Sequence, residues 1–247
     1  MSKKRKALIW CLSILLTVAT IFTAFAVYLS IYYKADDDAM EAFYASPTIK
    51  IEESKKFTAF IPQGEVKTGF IFYPGGKVDY KAYYPLMQTL ADLGVFTAVA
   101  KMPFNLAIFD TDAAKKIQDA YPEITDWYIG GHSLGGAMAS SHVSKASDSF
   151  KGLILLGAYS TKDISDSRIA VLSIYGSNDE VMNREKYESN RSNLPSNFTE
   201  LVIDGGCHAY FGVYGEQKGD GEPTLSNEEQ IYATANHIIS FISLLEK

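Results

Sequence analysis

The sequence predicts an α/β fold: a mainly parallel central sheet with helices on both faces, preceded by one transmembrane helix. Three observations carry that expectation. Short, continuous apolar runs alternate with longer helix-patterned segments from residue 69 onward. Strands buried on both faces read this way, and parallel sheets bury both faces. The stretch Trp127-Tyr128-Ile129-Gly130-Gly131-His132-Ser133-Leu134-Gly135-Gly136 reads as strand, tight turn, then helix. Finally, no charged residue occurs from Ala7 to Tyr33.

The N-terminal run is long enough to cross a hydrocarbon core of ~30 Å as a helix. Trp10 at one end and Tyr28, Tyr32 and Tyr33 at the other suit the two membrane interfaces. Lys3, Lys4, Arg5 and Lys6 precede the run and Asp36, Asp37 and Asp38 follow it, which orients the N-terminus toward the cytoplasm. Ala24-Phe25-Ala26 also fits a signal-peptidase pattern, so secretion after cleavage is the competing expectation. Continuation of the apolar run to Tyr33 favours an uncleaved anchor, with a single-pass protein in the cell membrane and its main domain outside. On this reading residues 1–34 are basic N-terminus and anchor, 35–47 a linker or short juxtamembrane helix, and 48–247 one catalytic domain.

The net charge of −6 is unevenly distributed. Removing Lys3, Lys4, Arg5, Lys6 and Lys34 from the 23 basic residues leaves 18 against 29 acidic ones, a net of −11. A domain that acidic is not expected to bind nucleic acid. Its two cysteines, Cys11 and Cys207, do not form a disulfide framework.

Strands are expected at Thr48–Glu52, Phe57–Ile61 and Gly69–Tyr73, with a hairpin-type turn at Gln63-Gly64-Glu65. A helix over Lys81–Leu93 carries Tyr84, Leu86, Leu90 and Leu93 on one face and stops at Gly94. A strand at Phe96–Ala100 and a helix at Asp112–Tyr121 follow, the latter with Asp112 as a first-turn acid. After the central strand Trp127–Ile129 come a helix over Leu134–Ala146 and strands at Gly152–Leu156 and Ile169–Tyr175. A helix at Arg184–Arg191, the strand Glu200–Ile203 and a long helix Asn227–Leu245, with Asn227 near its N-cap, complete the chain.

Gly131-His132-Ser133-Leu134-Gly135 has the Gly-x-Ser-x-Gly form in a strand–turn–helix context. Such a turn leaves no room for side chains on its flanks and pushes Ser133 out at the apex, in front of the unpaired N–H groups of a helix start. A serine hydroxyl needs a base to take its proton and an acid to orient that base. Asp179 lies just beyond the strand ending at Tyr175, with Glu180 in reserve, and His208 lies just beyond the last strand. Asp204 stands too near its strand end for the acid. His132 is within the turn and is expected to brace it, while His142 and His237 lie within helices as surface or packing residues. Two N–H donors should face a developing oxyanion: Leu134, and Gly76 or alternatively Lys77 from Pro74-Gly75-Gly76-Lys77. Pro103-Phe104-Asn105-Leu106 is expected at the edge of the site. Glu216, Asp220 and Glu222 match no metal-ligand spacing and read as a solvated loop. No cofactor and no metal are expected.

These segments resemble the α/β-hydrolase superfamily, and within it the compact bacterial family 5 related to dienelactone hydrolases. The matching stretches are Tyr73–Asp79, Lys101–Ala107, Gly131–Gly136, Gly176–Asp179 and His208–Gly212, and the likeness covers Thr48 to the C-terminus. It implies an α/β-hydrolase fold and a serine-hydrolase triad of Ser133, Asp179 and His208. Dienelactone hydrolases proper carry a cysteine nucleophile, so Ser133 departs from them. The expected activity is cleavage of an ester or related acyl bond in a small-molecule or acylated substrate. An acyltransferase with the same triad, or a non-catalytic binding protein on this fold, is the alternative. The connection Gly157–Arg168 is too short and polar for a cap domain, so an open site preferring short acyl groups is expected.

Overall fold

The computed structural model describes residues 2–41 and 48–246. The chain divides into two compact units, Met1–Tyr32 and Tyr33–Lys247. In the first, helix α1 (Lys3–Ser30) is 28 residues long, and its Ser2 cap accepts a hydrogen bond from the Arg5 N–H at 3.3 Å. At ~1.5 Å per residue such a helix exceeds the thickness of a bilayer core. The Thr17, Thr20 and Thr23 hydroxyls donate to the carbonyls of Ser13, Leu16 and Ala19. Each polar side chain is thereby satisfied within the helix itself, as an apolar surrounding requires. By length and composition α1 can serve as a membrane anchor or as a signal sequence.

The second unit is built on one eight-stranded sheet. The strands are β1 (Lys50–Glu53), β2 (Phe57–Ile61), β3 (Thr68–Tyr73), β4 (Phe96–Ala100), β5 (Asp126–His132), β6 (Gly152–Leu156), β7 (Ala170–Gly176) and β8 (Thr199–Ile203), in spatial order β1-β2-β4-β3-β5-β6-β7-β8. β1 and β2 form an antiparallel edge; every pairing from β4 to β8 is parallel. The hairpin expected at Gln63-Gly64-Glu65 is not one, because β4 lies between β2 and β3. The hairpin is instead β1–β2, where the Ser54 hydroxyl accepts from the Phe57 N–H at 3.0 Å. Gly64, in the left-handed region at φ 92°, only redirects the chain.

Both faces of the sheet are buried. Along β3, Phe70 and Phe72 join one core cluster and Ile71 and Tyr73 the other; along β6, Ile154 and Leu156 oppose Leu153 and Leu155. Period-two side chains buried on both sides give the unbroken apolar runs seen in the sequence. Helices α3 (Tyr84–Asp92) and α7 (Asn227–Leu245) supply the first cluster, and α4 (Ala113–Ala120) and α5 (Leu134–Ala146) the second. Ahead of them, the four-residue helix α2 (Asp37–Met40) lies in the span read as linker or short helix, and buries Met40. Helix α6 (Arg184–Ser189) follows β7 and ends two residues earlier than expected, because Arg191–Asn193 forms a separate 3₁₀ turn.

One helix start matches the sequence reading and one differs. α7 spans Asn227–Leu245 as expected and is capped by the residue before it: the Ser226 hydroxyl accepts from the Glu229 N–H and the Glu229 carboxylate accepts from the Ser226 N–H. The Asn227 side-chain amide donates to the carbonyls of Tyr210 and Gly212. Asp112 stands at the α4 N-cap but makes no capping bond; its carboxylate pairs at 3.0 Å with His142, which is buried and not on the surface.

Candidate active site

β5 passes into α5 through Ser133, whose backbone stands at φ 52°, ψ −121°. A non-glycine residue held there costs about 1–3 kcal/mol, which the surroundings must offset. The neighbouring glycines show how. A Cβ on Gly135 would lie 2.1 Å from the Tyr73 carbonyl oxygen, and one on Gly131 would lie 2.5 Å from that same atom. Only bare backbone lets strand and helix approach this closely. The Ser133 N–H donates to the Leu156 carbonyl at 2.9 Å, tying the turn to the end of β6.

Asp179 and His208 meet at the ends of β7 and β8. His208 Nδ1 lies 2.8 Å from Asp179 Oδ2, and both side chains are buried. The other Asp179 oxygen accepts the N–H groups of Val181 at 3.0 Å and Met182 at 2.8 Å, which fixes the carboxylate plane. His208 Nε2 is buried and has no hydrogen-bond partner among the described residues. Gly157, the residue after Leu156, packs against this pair: a Cβ there would be 2.9 Å from His208 Nδ1 and 3.0 Å from Asp179 Oδ2. Ser133 and Gly157 line one pocket, so the Ser133 turn and the His208–Asp179 pair lie at the same, C-terminal end of the sheet. Glu180 and Asp204 are exposed and take no part.

The backbone around His208 is pinned on both sides. The Gln230 amide accepts the Cys207 N–H at 3.0 Å and donates to the Cys207 carbonyl at 2.8 Å. Asp220 accepts the Ala209 N–H at 2.7 Å and reaches the Glu180 N–H at 3.4 Å, linking the His208 loop to the Asp179 loop. Asp220, half-buried in a loop that is otherwise largely exposed, is therefore a structural brace; its distance in sequence from both loops hid that role. The Cys207 thiol is buried, and burial pushes its pKa up to about 12, so it stays protonated.

On the opposite side, three loop amides have different fates. The Gly75 N–H donates to the Tyr83 hydroxyl at 3.0 Å, and the Lys77 N–H to the Asn105 carbonyl at 2.7 Å. The Gly76 N–H has no such bond among the described residues, and a Cβ on Gly76 would meet the Leu134 side chain, at the start of α5, at 2.9 Å. Leu134 opens α5, so its N–H is one of the first-turn donors without an intrahelical acceptor. Between the two candidates from the sequence, Lys77 is committed and Gly76 is free. Asn105 and Phe104 both sit at φ 55° and Lys77 at φ 60°, so the lip beside Gly76 is held in an uncommon backbone state. Phe104 is 59% exposed there.

His132 turns away from Ser133, and its Nδ1 lies 2.8 Å from the Tyr83 hydroxyl. With Gly75 donating to that oxygen, the phenolic proton is directed at His132, which is then neutral with its own proton on Nε2. Burial first, and then the neighbouring His208, hold the His132 pKa well below its ordinary value. The rings of His132 and His208 stand 4.3 Å apart. Tyr83 was not singled out from the sequence; it fits the apolar face of its helix, and nothing local marks its hydroxyl as a partner of Gly75.

An α/β hydrolase family model matches residues 69–232. The chain belongs to the α/β hydrolase family. Among solved structures, this hydrolase is similar to Est1E from Butyrivibrio proteoclasticus, at 17% identity and a TM-score of 0.59 over 79% of this chain and 99% of that one. Est1E with bound ferulic acid matches at 17% identity and a TM-score of 0.58, over 79% and 96%. MGS-MChE2, an α/β hydrolase enzyme from the sediment metagenome of the Mar Chica lagoon in Morocco, matches at 15% and 0.60, over 80% and 100%. At these identities the likeness establishes the fold. No curated protein sequence matches the chain.

Proposed function

We propose that this α/β hydrolase is a serine esterase, held outside the cytoplasmic membrane by α1, that works through an acyl-enzyme on Ser133. One observation carries the reading. His208 has one ring nitrogen fixed by the buried Asp179 carboxylate and the other unpartnered at the end of the sheet that also bears Ser133. A base poised in this way takes the Ser133 proton on Nε2 as Oγ attacks the substrate carbonyl. Asp179 holds the tautomer with Nδ1–H and stabilises the imidazolium. The N–H groups of Gly76 and Leu134 receive the oxyanion. Collapse of the tetrahedral intermediate breaks the C–O bond, and His208 returns its proton to the departing alcohol. Water then repeats the sequence and releases the acid.

The pocket beside Ser133 has a volume of about 340 Å³ and is lined by Leu134, Ala137, Met138, Ala158, Val181 and Met182. It suits a short acyl chain or a group of similar bulk. Each further buried CH₂ gains only about 0.8 kcal/mol and needs a wall to bury against. Among the described residues no cap domain covers the mouth. On p-nitrophenyl esters, kcat/KM should peak at acetyl or butyryl and decline by octanoyl, and Ser133→Ala should abolish turnover without loss of fold. A peak at dodecanoyl, or a rate jump above the critical micelle concentration, would contradict the short-acyl assignment. Turnover by Ser133→Ala would contradict the mechanism.

A further inference from the structure

The loop bearing Gly76 is held from outside the sheet by the first residues of the second unit. The Tyr33 N–H donates to the Lys77 carbonyl at 2.8 Å, and the Tyr33 carbonyl accepts the Asp79 N–H at 2.8 Å. Together they form a parallel bridge centred on Val78. The Val78 N–H in turn donates to the Gly75 carbonyl at 3.2 Å. That carbonyl belongs to the planar peptide unit whose other end is the Gly76 N–H, and the two point in opposite directions. Whatever fixes Val78 therefore aims the Gly76 donor.

Tyr33 is itself well seated. Its ring packs on Tyr214 at 5.6 Å between centroids, and its hydroxyl accepts the Lys218 N–H at 3.4 Å. Three residues on, the Asp36 N–H donates to the Val213 carbonyl at 3.0 Å, and Met40 is in the core. Residues 33–40 thus form a strap fixed at both ends, not a slack tether.

We propose that Tyr33 is a positioning residue for the oxyanion loop, acting through Val78 and the Gly75–Gly76 peptide. The inference rests on the reading of Ser133 as the acylated nucleophile. An oxyanion donor works only within hydrogen-bond reach of where the charge forms, and the Gly-Gly pair alone has too much freedom to stay there. It also means that the segment following α1 in the chain is part of the active unit. Cleavage after Ala26 would retain it.

The test uses the full chain. Tyr33→Pro removes the N–H given to Lys77, and Tyr33→Gly keeps both backbone bonds but frees the strap from Tyr214 and Lys218. Ser54→Ala, which removes the hydroxyl that closes the β1–β2 turn at the edge of the sheet, controls for stability alone. The readouts are kcat and KM on p-nitrophenyl acetate, and the Ki of a trifluoromethyl ketone, whose serine adduct places an oxyanion in the hole. For Tyr33→Pro, kcat and ketone affinity should fall together by about tenfold or more with KM within about twofold, since misplaced catalytic groups lose rate in this range. Tyr33→Gly should fall in the same two quantities by about threefold, and Ser54→Ala should lower Tm without moving either. If Tyr33→Pro does not fold, Tyr33→Gly decides. Wild-type kcat and ketone affinity in the folded Tyr33 variants would overturn the inference. If Ser133→Ala turns over the ester and binds the ketone like wild type, the hydrolase reading fails instead.

Discussion

The turn at Ser133 and the loop at Gly76, to which we assign the nucleophile and an oxyanion donor, are written into the chain in different ways. One contiguous stretch supplies the strand, the glycines and the helix of the Ser133 turn, although Leu156 and Tyr73 also pack on it. The loop at Gly76 is held by Tyr83, Asn105 and Tyr33, from three separate parts of the chain. A motif can be read from a sequence when the residues that define it are contiguous. A loop defined by distant partners shows only its glycines.

The comparison can be broken first on the His208 side. Asp179→Asn should lower kcat by about 10³–10⁴-fold, because the imidazole loses the partner that fixes its tautomer, with KM little changed. Near-wild-type turnover would remove Asp179 from the mechanism.

A second break targets the local character of the turn. Gly135→Ala would place a Cβ 2.1 Å from the Tyr73 carbonyl oxygen. Backbone on both sides leaves nothing to yield, so this variant should lose several kcal/mol or fail to fold. A stable, active Gly135→Ala protein, measured by urea melts and esterase rate, would contradict the packing account.

A smaller effect is expected at Tyr83. Tyr83→Phe leaves the Gly75 N–H and His132 Nδ1 without their buried partner, at a cost of about 1–3 kcal/mol. kcat should drop by about tenfold through the loosened loop, with KM within about twofold. Equal kcat in the two proteins would show that the Tyr83 bond stabilises the fold without positioning the donor.

The smallest effect is a pH dependence of stability. His132 has a folded pKa held well below 6.5, so the unfolded chain binds a proton that the folded one refuses. Its contribution is full above about pH 6.5 and is lost as pH falls below that, at up to ~1.4 kcal/mol per pH unit. His132→Asn should flatten this acid slope in urea melts between pH 7 and lower values. An unchanged slope would mean that His132 titrates normally.

Much of this was legible in the sequence for definite physical reasons. The parallel strands announced themselves because burial on both faces leaves few polar positions, such as Thr97 and Ser173. Ser133 was legible from its glycines, and Asp179 and His208 from their places just past strand ends. What escaped notice depends on partners far along the chain. Asp220 looks solvated until it is seen holding Ala209, and Tyr83 looks like an ordinary helix-face aromatic. Asn105 hides its contribution in a backbone carbonyl, which no side chain advertises. The start of α7 was legible to the residue, while the cap itself, Ser226, shows only through its reciprocal bond to Glu229.

The central claim is a covalent acyl group on Ser133. Mass spectrometry of the intact protein after brief exposure to a fluorophosphonate or to p-nitrophenyl acetate, followed by peptide mapping, tests it most directly. The account predicts a single adduct on the peptide containing Ser133, absent in Ser133→Ala and much slower to form in Asp179→Asn. An adduct on Cys207, or equal labelling of the Ser133→Ala protein, would contradict it.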